Sequence, residues 1–167
     1  MGCGKSTVGK LVSKKMTMPF VDVDALIEVN EKATITEIFK QKGESYFRKI
    51  ERDTLNTCLK CKVSTVISTG GGAPCFYNNM DRIINQSLLS IYLNVGRDAL
   101  VQRLKNDILR PLLQQKESTD LYTFIDSKLK ERKKYYYKAD KILRGIDAPE
   151  IVANRIEKYY KVAIKNL

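Results

Sequence analysis

The sequence predicts an α/β fold with a central parallel sheet flanked by helices. Three observations carry this. Short apolar runs alternate with amphipathic helical stretches along the 167 residues, the pattern of strands joined by crossover helices. The first helical stretch opens on Gly2-Cys-Gly-Lys-Ser-Thr7, a glycine-rich turn of the kind that cradles phosphate. Asp22-Val-Asp24 and Gly70-Gly71-Gly72 fall at or just after strands, and open α/β sheets bind ligands beyond the carboxyl ends of their strands.

The first helix is predicted to start near Lys5, with Val8, Leu11, Val12 and Met16 on one face. Residues 19–24 read as a short strand ending in the two aspartates, followed by a helix to about Lys32. Thr34-Ile-Thr-Glu37 has the form of a capping box, in which hydroxyl and carboxylate each satisfy a backbone N–H. Gly43 is the expected stop of the short helix it opens. A longer helix spans about Glu44 to Lys60, and residues 64–68 form the next strand. A helix from about Tyr77 leads to a strand at 89–93, and another helix covers about Arg97 to Asn106. Residues 107–119, around Arg110-Pro111, read as a mobile loop. A basic helix then runs to about Lys138, and Lys141–Arg144 is a last strand. Asp147-Ala-Pro-Glu150 is expected to cap a final helix with Val152, Ile156, Tyr159, Tyr160 and Ala163 on its apolar face.

A chain of this length favours a single domain, residues 1–167. No apolar run approaches the ~18 residues of a membrane span, and the N-terminus has no signal-peptide core, so a cytoplasmic protein is expected. Cys3, Cys58, Cys61 and Cys75 read as reduced thiols, because a structural zinc site needs four ligands and there is no histidine. The same absence leaves carboxylate, lysine, tyrosine or thiol as any general base. The net charge of +11 favours anionic partners, with the excess strongest at residues 128–134, where a solvated helix face is the plainer explanation.

The chemistry sits in a few groups of residues. In Gly2-Cys-Gly-Lys-Ser-Thr7, backbone N–H groups and a helix N-terminus would hold phosphate oxygens. Lys5 would reach the β- and γ-phosphates and Ser6 would ligate Mg²⁺. Asp22 and Asp24, two apart on an extended strand, would share a face, suited to orienting Mg²⁺-bound water and accepting a hydroxyl proton; a helix cap at Asp24 is the competing reading. Three consecutive glycines let a backbone approach a ligand closely, or simply permit a turn. Arg48 and Glu51 are helix neighbours that could pair. Arg110 could neutralise charge on a transferred phosphoryl, and Arg132 taken alone reads as a solvated charge.

The ordered set G-x-G-K-S-T, P-F-x-D-x-D, I-F with F-R-x-x-E, T-G-G-G, R-P-L-L and E-R-x-x-x-Y resembles the shikimate kinase family, from Gly2 to about Ala139. The resemblance implies a three-layer P-loop kinase fold with a central parallel sheet, family strand order 2-3-1-4-5, and a lid at about 107–119. It implies transfer of a phosphoryl group from ATP to the 3-hydroxyl of shikimate, giving shikimate 3-phosphate in the chorismate pathway, with Mg²⁺ as cofactor. Gly2, Gly4, Lys5, Ser6 and Thr7 would hold ATP with Arg103 near the adenine and Arg110 on the phosphates, and Ser6 and Asp22 would serve the metal. Asp24 would accept or orient the proton of the attacking hydroxyl. Arg48 and Arg132 would clamp the shikimate carboxylate, Glu51 would steady Arg48, and Phe39 and Phe47 would pack beside the ring. Gly70, Gly71 and Gly72 would donate N–H groups to substrate. Lys5, Asp24 and Arg110 would be the catalytic set.

Lys134 stands where that family often has proline. The sequence also begins inside the P-loop, without the family's first strand or first P-loop glycine, so an upstream start with Met1 internal is expected. The strands on either side of the central position are then expected to face each other unpaired, roughly 10 Å apart. Three rival readings stay open: another small-molecule or nucleoside monophosphate kinase, a non-catalytic kinase-derived protein, and a basic nucleic-acid binder. The expected partners are shikimate and ATP, with neither specific nucleic acid nor membrane, on a monomer.

Overall fold

The computed structural model describes residues 2–105 and 118–166. Arg110 lies outside the described residues, as does the expected loop up to residue 117; Ser118 already belongs to a helix. The element order is α1 (Lys5–Met16), β1 (Phe20–Asp22), α2 (Val23–Glu31), α3 (Ile35–Leu59), β2 (Val66–Ser68), a 3₁₀ turn (Ala73–Cys75), α4 (Asn79–Gln86), β3 (Ile91–Asn94), α5 (Arg97–Lys105), α6 (Ser118–Tyr136), β4 (Lys141–Arg144) and α7 (Pro149–Lys165).

The local signals explain most of these boundaries. The capping box forms in full: Glu37 Oε2 accepts the Thr34 N–H at 2.8 Å and Thr34 Oγ1 accepts the Glu37 N–H at 3.2 Å. Gly43, at φ 79° and ψ 169°, breaks α3 into two helical stretches, as the expected stop requires. Two readings are corrected. Asp24 is not on a strand: β1 ends at Asp22, whose carboxylate caps α2 by accepting the Asp24 N–H at 3.2 Å, so Asp24 lies in the first helical turn. The final helix is capped by Ala148 with Pro149 in its first turn, without a side-chain cap, because Asp147 is engaged by Arg155 at 2.6 Å. Other shifts are small: the helix expected from Tyr77 begins at Asn79, because Tyr77 and Asn78 take positive φ of 50° and 56°, and α6 stops at Tyr136.

All strand pairs are parallel. Phe20, Val21 and Asp22 of β1 register with Val66, Ile67 and Ser68 of β2; Ile91 to Asn94 of β3 register with Lys141 to Arg144 of β4. Asp140 ties the latter pair at its start, accepting the Ser90 N–H at 2.7 Å and the Ser90 hydroxyl at 2.6 Å. The two pairs are separate two-stranded sheets: no ladder joins β2 to β3. Thr65 and Ile67 on one side, and Ile91 and Leu93 on the other, line two cavities of about 230 and 400 Å³. The expected unpaired cleft between the flanking strands is therefore present.

Helices cover the sheets through three apolar clusters. Val23, Ile27, Ile38, Phe47 and Leu55 join α2 to α3. Val8, Val12, Leu93, Leu143, Val152 and Ala153 lock α1 and α7 against β3 and β4. Val95, Leu100, Val101, Leu104, Leu121 and Ile125 join α5 to α6. Each fully buried aliphatic side chain contributes about 1.5–3 kcal/mol. The result fixes the carboxyl ends of β1 and β2 beside the N-terminus of α1.

Candidate active site

Gly2 and Gly4 have φ of 64° and 87°, a left-handed backbone suited to glycine, and they turn the chain into α1. The first α1 hydrogen bond runs from the Val8 N–H to the Gly4 carbonyl at 2.9 Å. The N–H groups of Lys5, Ser6 and Thr7 therefore belong to the unpaired first turn, which favours an anion. They border a cavity of about 240 Å³, also lined by Asp22, Asp24, Thr69 and Gly71. Lys5 Nζ lies 3.6 Å from Cys3 Sγ. Burial pushes the Cys3 thiol up, but the charge and hydrogen bonds of Lys5 and the charge of the N-terminal amine together leave it below its ordinary pKa.

Ser6 Oγ donates to Asp22 Oδ2 at 2.6 Å. These two oxygens stand side by side at the mouth of the turn, a hard oxygen donor set that suits Mg²⁺. The structure thus brings Ser6 and Asp22 together, although one is on a helix and the other caps the next. Arg103 donates to the Gly2 carbonyl at 3.2 Å and the Gly145 carbonyl at 3.1 Å, bracing the start of the loop against the turn after β4.

The second half of the site is built on α3. Arg48 Nη1 donates to Glu51 Oε2 at 2.7 Å, and Arg48 Nε and Nη2 both reach Glu44 Oε1 at 3.1 Å. Glu51 is 1% exposed, while the Glu44 side chain is 57% exposed. The Arg48 guanidinium lies 4.3 Å from the Phe76 ring centroid and 5.1 Å from that of Phe47, and Phe39 and Phe47 stack at 4.7 Å. Phe47 is part of the core, with Phe39 packed on it at the site's edge.

The glycine loop joins the halves. A Cβ on Gly70 would come within 2.6 Å of Glu51 Oε1 and 2.7 Å of Asp24 Oδ1; one on Gly72 would come within 2.6 Å of Arg48 Nη1. A side chain at either position would push these charged groups out of place. Asp24 Oδ1 and Glu51 Oε1 are thus near neighbours, and both are buried without a hydrogen-bond partner among the described residues. Burial, reinforced by Asp22, raises the Asp24 pKa; burial also raises that of Glu51, against the opposing pull of Arg48. Arg132 on α6 borders the same region with Gly70, Gly71 and Tyr136, close enough to act on Glu51 electrostatically.

Several contacts escaped the sequence reading. Glu44 is four residues before Arg48, so its pairing was legible as helix spacing; Phe76 arrives from a separate turn and carried no signal. Tyr136 was part of a motif but had no role, and its hydroxyl donates to the Gly71 carbonyl.

A profile of shikimate kinase matches residues 1–161. A shikimate kinase of Bacteroides thetaiotaomicron is 42% identical over 146 residues, covering 87% of this chain and 82% of the relative. One from Azobacteroides pseudotrichonymphae is 35% identical over 161 residues, covering 95% and 94%. Among solved structures, a shikimate kinase from Bacteroides thetaiotaomicron superposes with a TM-score of 0.91 at 36% identity, covering 96% of this chain and 94% of that one. The Acinetobacter baumannii shikimate kinase in complex with shikimate gives 0.86 at 30%, covering 95% and 87%.

Proposed function

Because the chain belongs to the shikimate kinase family, we propose that it transfers the terminal phosphoryl group of ATP to the 3-hydroxyl of shikimate, giving shikimate 3-phosphate for aromatic amino acid synthesis. The observation that carries this reading is the meeting of Asp24, Arg48 and Glu51 at the Gly70–Gly72 loop, beside the cavity at the start of α1.

In this reading the free N–H groups of the first α1 turn and Lys5 hold the ATP phosphates, and Arg103 keeps Gly2 in position. Ser6 and Asp22 are the residues that would hold Mg²⁺, which supplies charge neutralisation on the β- and γ-phosphates. Arg48 and Arg132 bind the substrate carboxylate; the exposed Glu44 is the group that would yield the Arg48 fork to it. Glu51 holds Arg48 from the buried side. The N–H groups of Gly70, Gly71 and Gly72 donate to the substrate. Asp24, half-buried and with its buried Oδ1 unengaged among the described residues, accepts the proton of the attacking hydroxyl. Its raised proton affinity suits that task, since a carboxylate at its ordinary pKa is a poor acceptor for an alcohol. The rest of the rate comes from aligning hydroxyl and phosphoryl group in a partly dry cleft.

The clamp is tested with Arg132→Ala. Losing one member of a charged pair costs about 2–5 kcal/mol, so KM for shikimate should rise by at least tenfold while KM for ATP stays within about twofold. Equal rises in both constants would remove Arg132 from the substrate site.

A further inference from the structure

We infer that Tyr136 is a positioning residue: its hydroxyl clamps the Gly71–Gly72 peptide so that the Gly72 N–H is presented to the substrate. This rests on the reading of Gly70–Gly72 as a substrate loop.

The carbonyls of the loop are all engaged. Gly70 O accepts the Ala73 N–H at 3.2 Å, Gly72 O accepts the Cys75 N–H at 2.9 Å, and Gly71 O accepts the Tyr136 hydroxyl. Among the described residues, none of the three glycine N–H groups has a backbone or side-chain acceptor. The donors of the loop are thus the free groups, as an anion- or hydroxyl-binding turn requires.

The first and last of these bonds are short turns of the backbone. The middle one is different, because it comes from α6. No peptide in the described chain is cis, so the Gly71 carbonyl and the Gly72 N–H lie on opposite sides of their shared bond. Fixing the carbonyl toward Tyr136 therefore aims the N–H away from it. Arg48 lies against Gly72, so this peptide borders the guanidinium proposed to hold the carboxylate. A run of three glycines imposes little conformational preference of its own, and a peptide between two of them can rotate at small steric cost. An outside hydrogen bond is what selects one orientation.

Tyr136 is well placed to be that anchor. Its ring stacks on Tyr92 of β3 at 4.8 Å between centroids, so the phenol is held by the sheet. Arg132 precedes it by one helical turn and approaches the same hydroxyl, while burial keeps the phenol in its protonated, donating form by raising its pKa. One helix turn thus carries both a proposed carboxylate ligand and the group that orients a substrate-facing donor.

The experiment compares the full chain with Tyr136→Phe, which keeps the ring stack and removes one donor. Tyr92→Phe is the control: it lies in the same aromatic cluster and loses a hydroxyl that donates to Asn94 at 3.2 Å instead. The expected result for Y136F is a rise of about three- to tenfold in KM for shikimate, the effect of one neutral hydrogen bond. KM for ATP should change less than twofold, and Y92F should resemble the parent. The ¹⁵N order parameter of the Gly72 amide, measured without substrate, should fall in Y136F, with the melting temperature lowered by no more than a few degrees. The relaxation arm needs no activity, so it decides the clamp even for a chain that phosphorylates another acceptor; no turnover of shikimate by the parent would instead reject the functional reading. An unaltered Gly72 order parameter, equal effects on both substrates, or the same loss in Y92F would overturn the clamp.

Discussion

Glu51 is buried and Asp24 half-buried, and each has one buried oxygen with no hydrogen-bond partner among the described residues. Glu51 is compensated by Arg48 at 2.7 Å, but the buried Asp24 oxygen has no such partner among the described residues, and an unpaired buried carboxylate opposes folding. That cost is understandable only where the carboxylate has a task in the bound state. Asp24→Asn keeps the shape and removes the proton acceptor. It should lower kcat by roughly 10²–10⁴, with ATP affinity and melting temperature no lower than in the parent. Near-parental turnover in this variant would reduce Asp24 to a binding group. At this scale the sequence was informative where neighbours are close: Asp22 with Asp24, and Arg48 with Glu51, were legible from spacing. The geometry behind the first pair was not, because the Asp22 cap starts α2 at Val23, two residues earlier than a strand through Asp24 allows. The meeting of Asp24 with Glu51 across Gly70 joins three separate stretches of chain, and no periodicity reports such an encounter.

At the scale of elements, the capping box and the Gly43 break followed from local rules, since each is satisfied by residues within one turn. The α1 face was legible for the same reason, and Val8 and Val12 are buried as its spacing requires. The separation of the sheet into two pairs followed only from the resemblance. Its physical consequence is plain: β2 and β3 leave backbone groups without ladder partners, along an apolar slot. The slot has the character of a strand site. An apolar, β-branched extension of five or six residues built ahead of Met1 should raise the melting temperature by more than about 5 °C, since ~1 kcal/mol shifts a domain of this size by a few degrees. It should also slow amide exchange in β2 and β3. A Gly/Ser extension of the same length is the control. If the apolar extension does no better than the control, the slot is not a site for a strand.

At the scale of the molecule, alternation of strands and helices was enough to predict parallel α/β architecture, and the family comparisons agree with it. The positive charge is less informative. On α6 it is met by ion pairs such as Lys128 with Glu131 and Lys130 with Asp126, both at 2.8 Å, as on a solvated helix face. Among the described residues no helix is long and apolar enough to cross a membrane. The proposed site, two arginines and a half-buried aspartate around a glycine loop, is what would separate a shikimate kinase from a nucleoside monophosphate kinase. The most direct test is an acceptor panel at fixed Mg²⁺–ATP, containing shikimate, other hydroxylated carboxylic acids and nucleoside monophosphates, with products identified by phosphorus NMR. The account predicts stoichiometric ADP and a phosphomonoester on the 3-hydroxyl of shikimate, with the nucleotides inert. Preferential phosphorylation of a nucleoside monophosphate, or bound ATP with no transfer to shikimate, would contradict it.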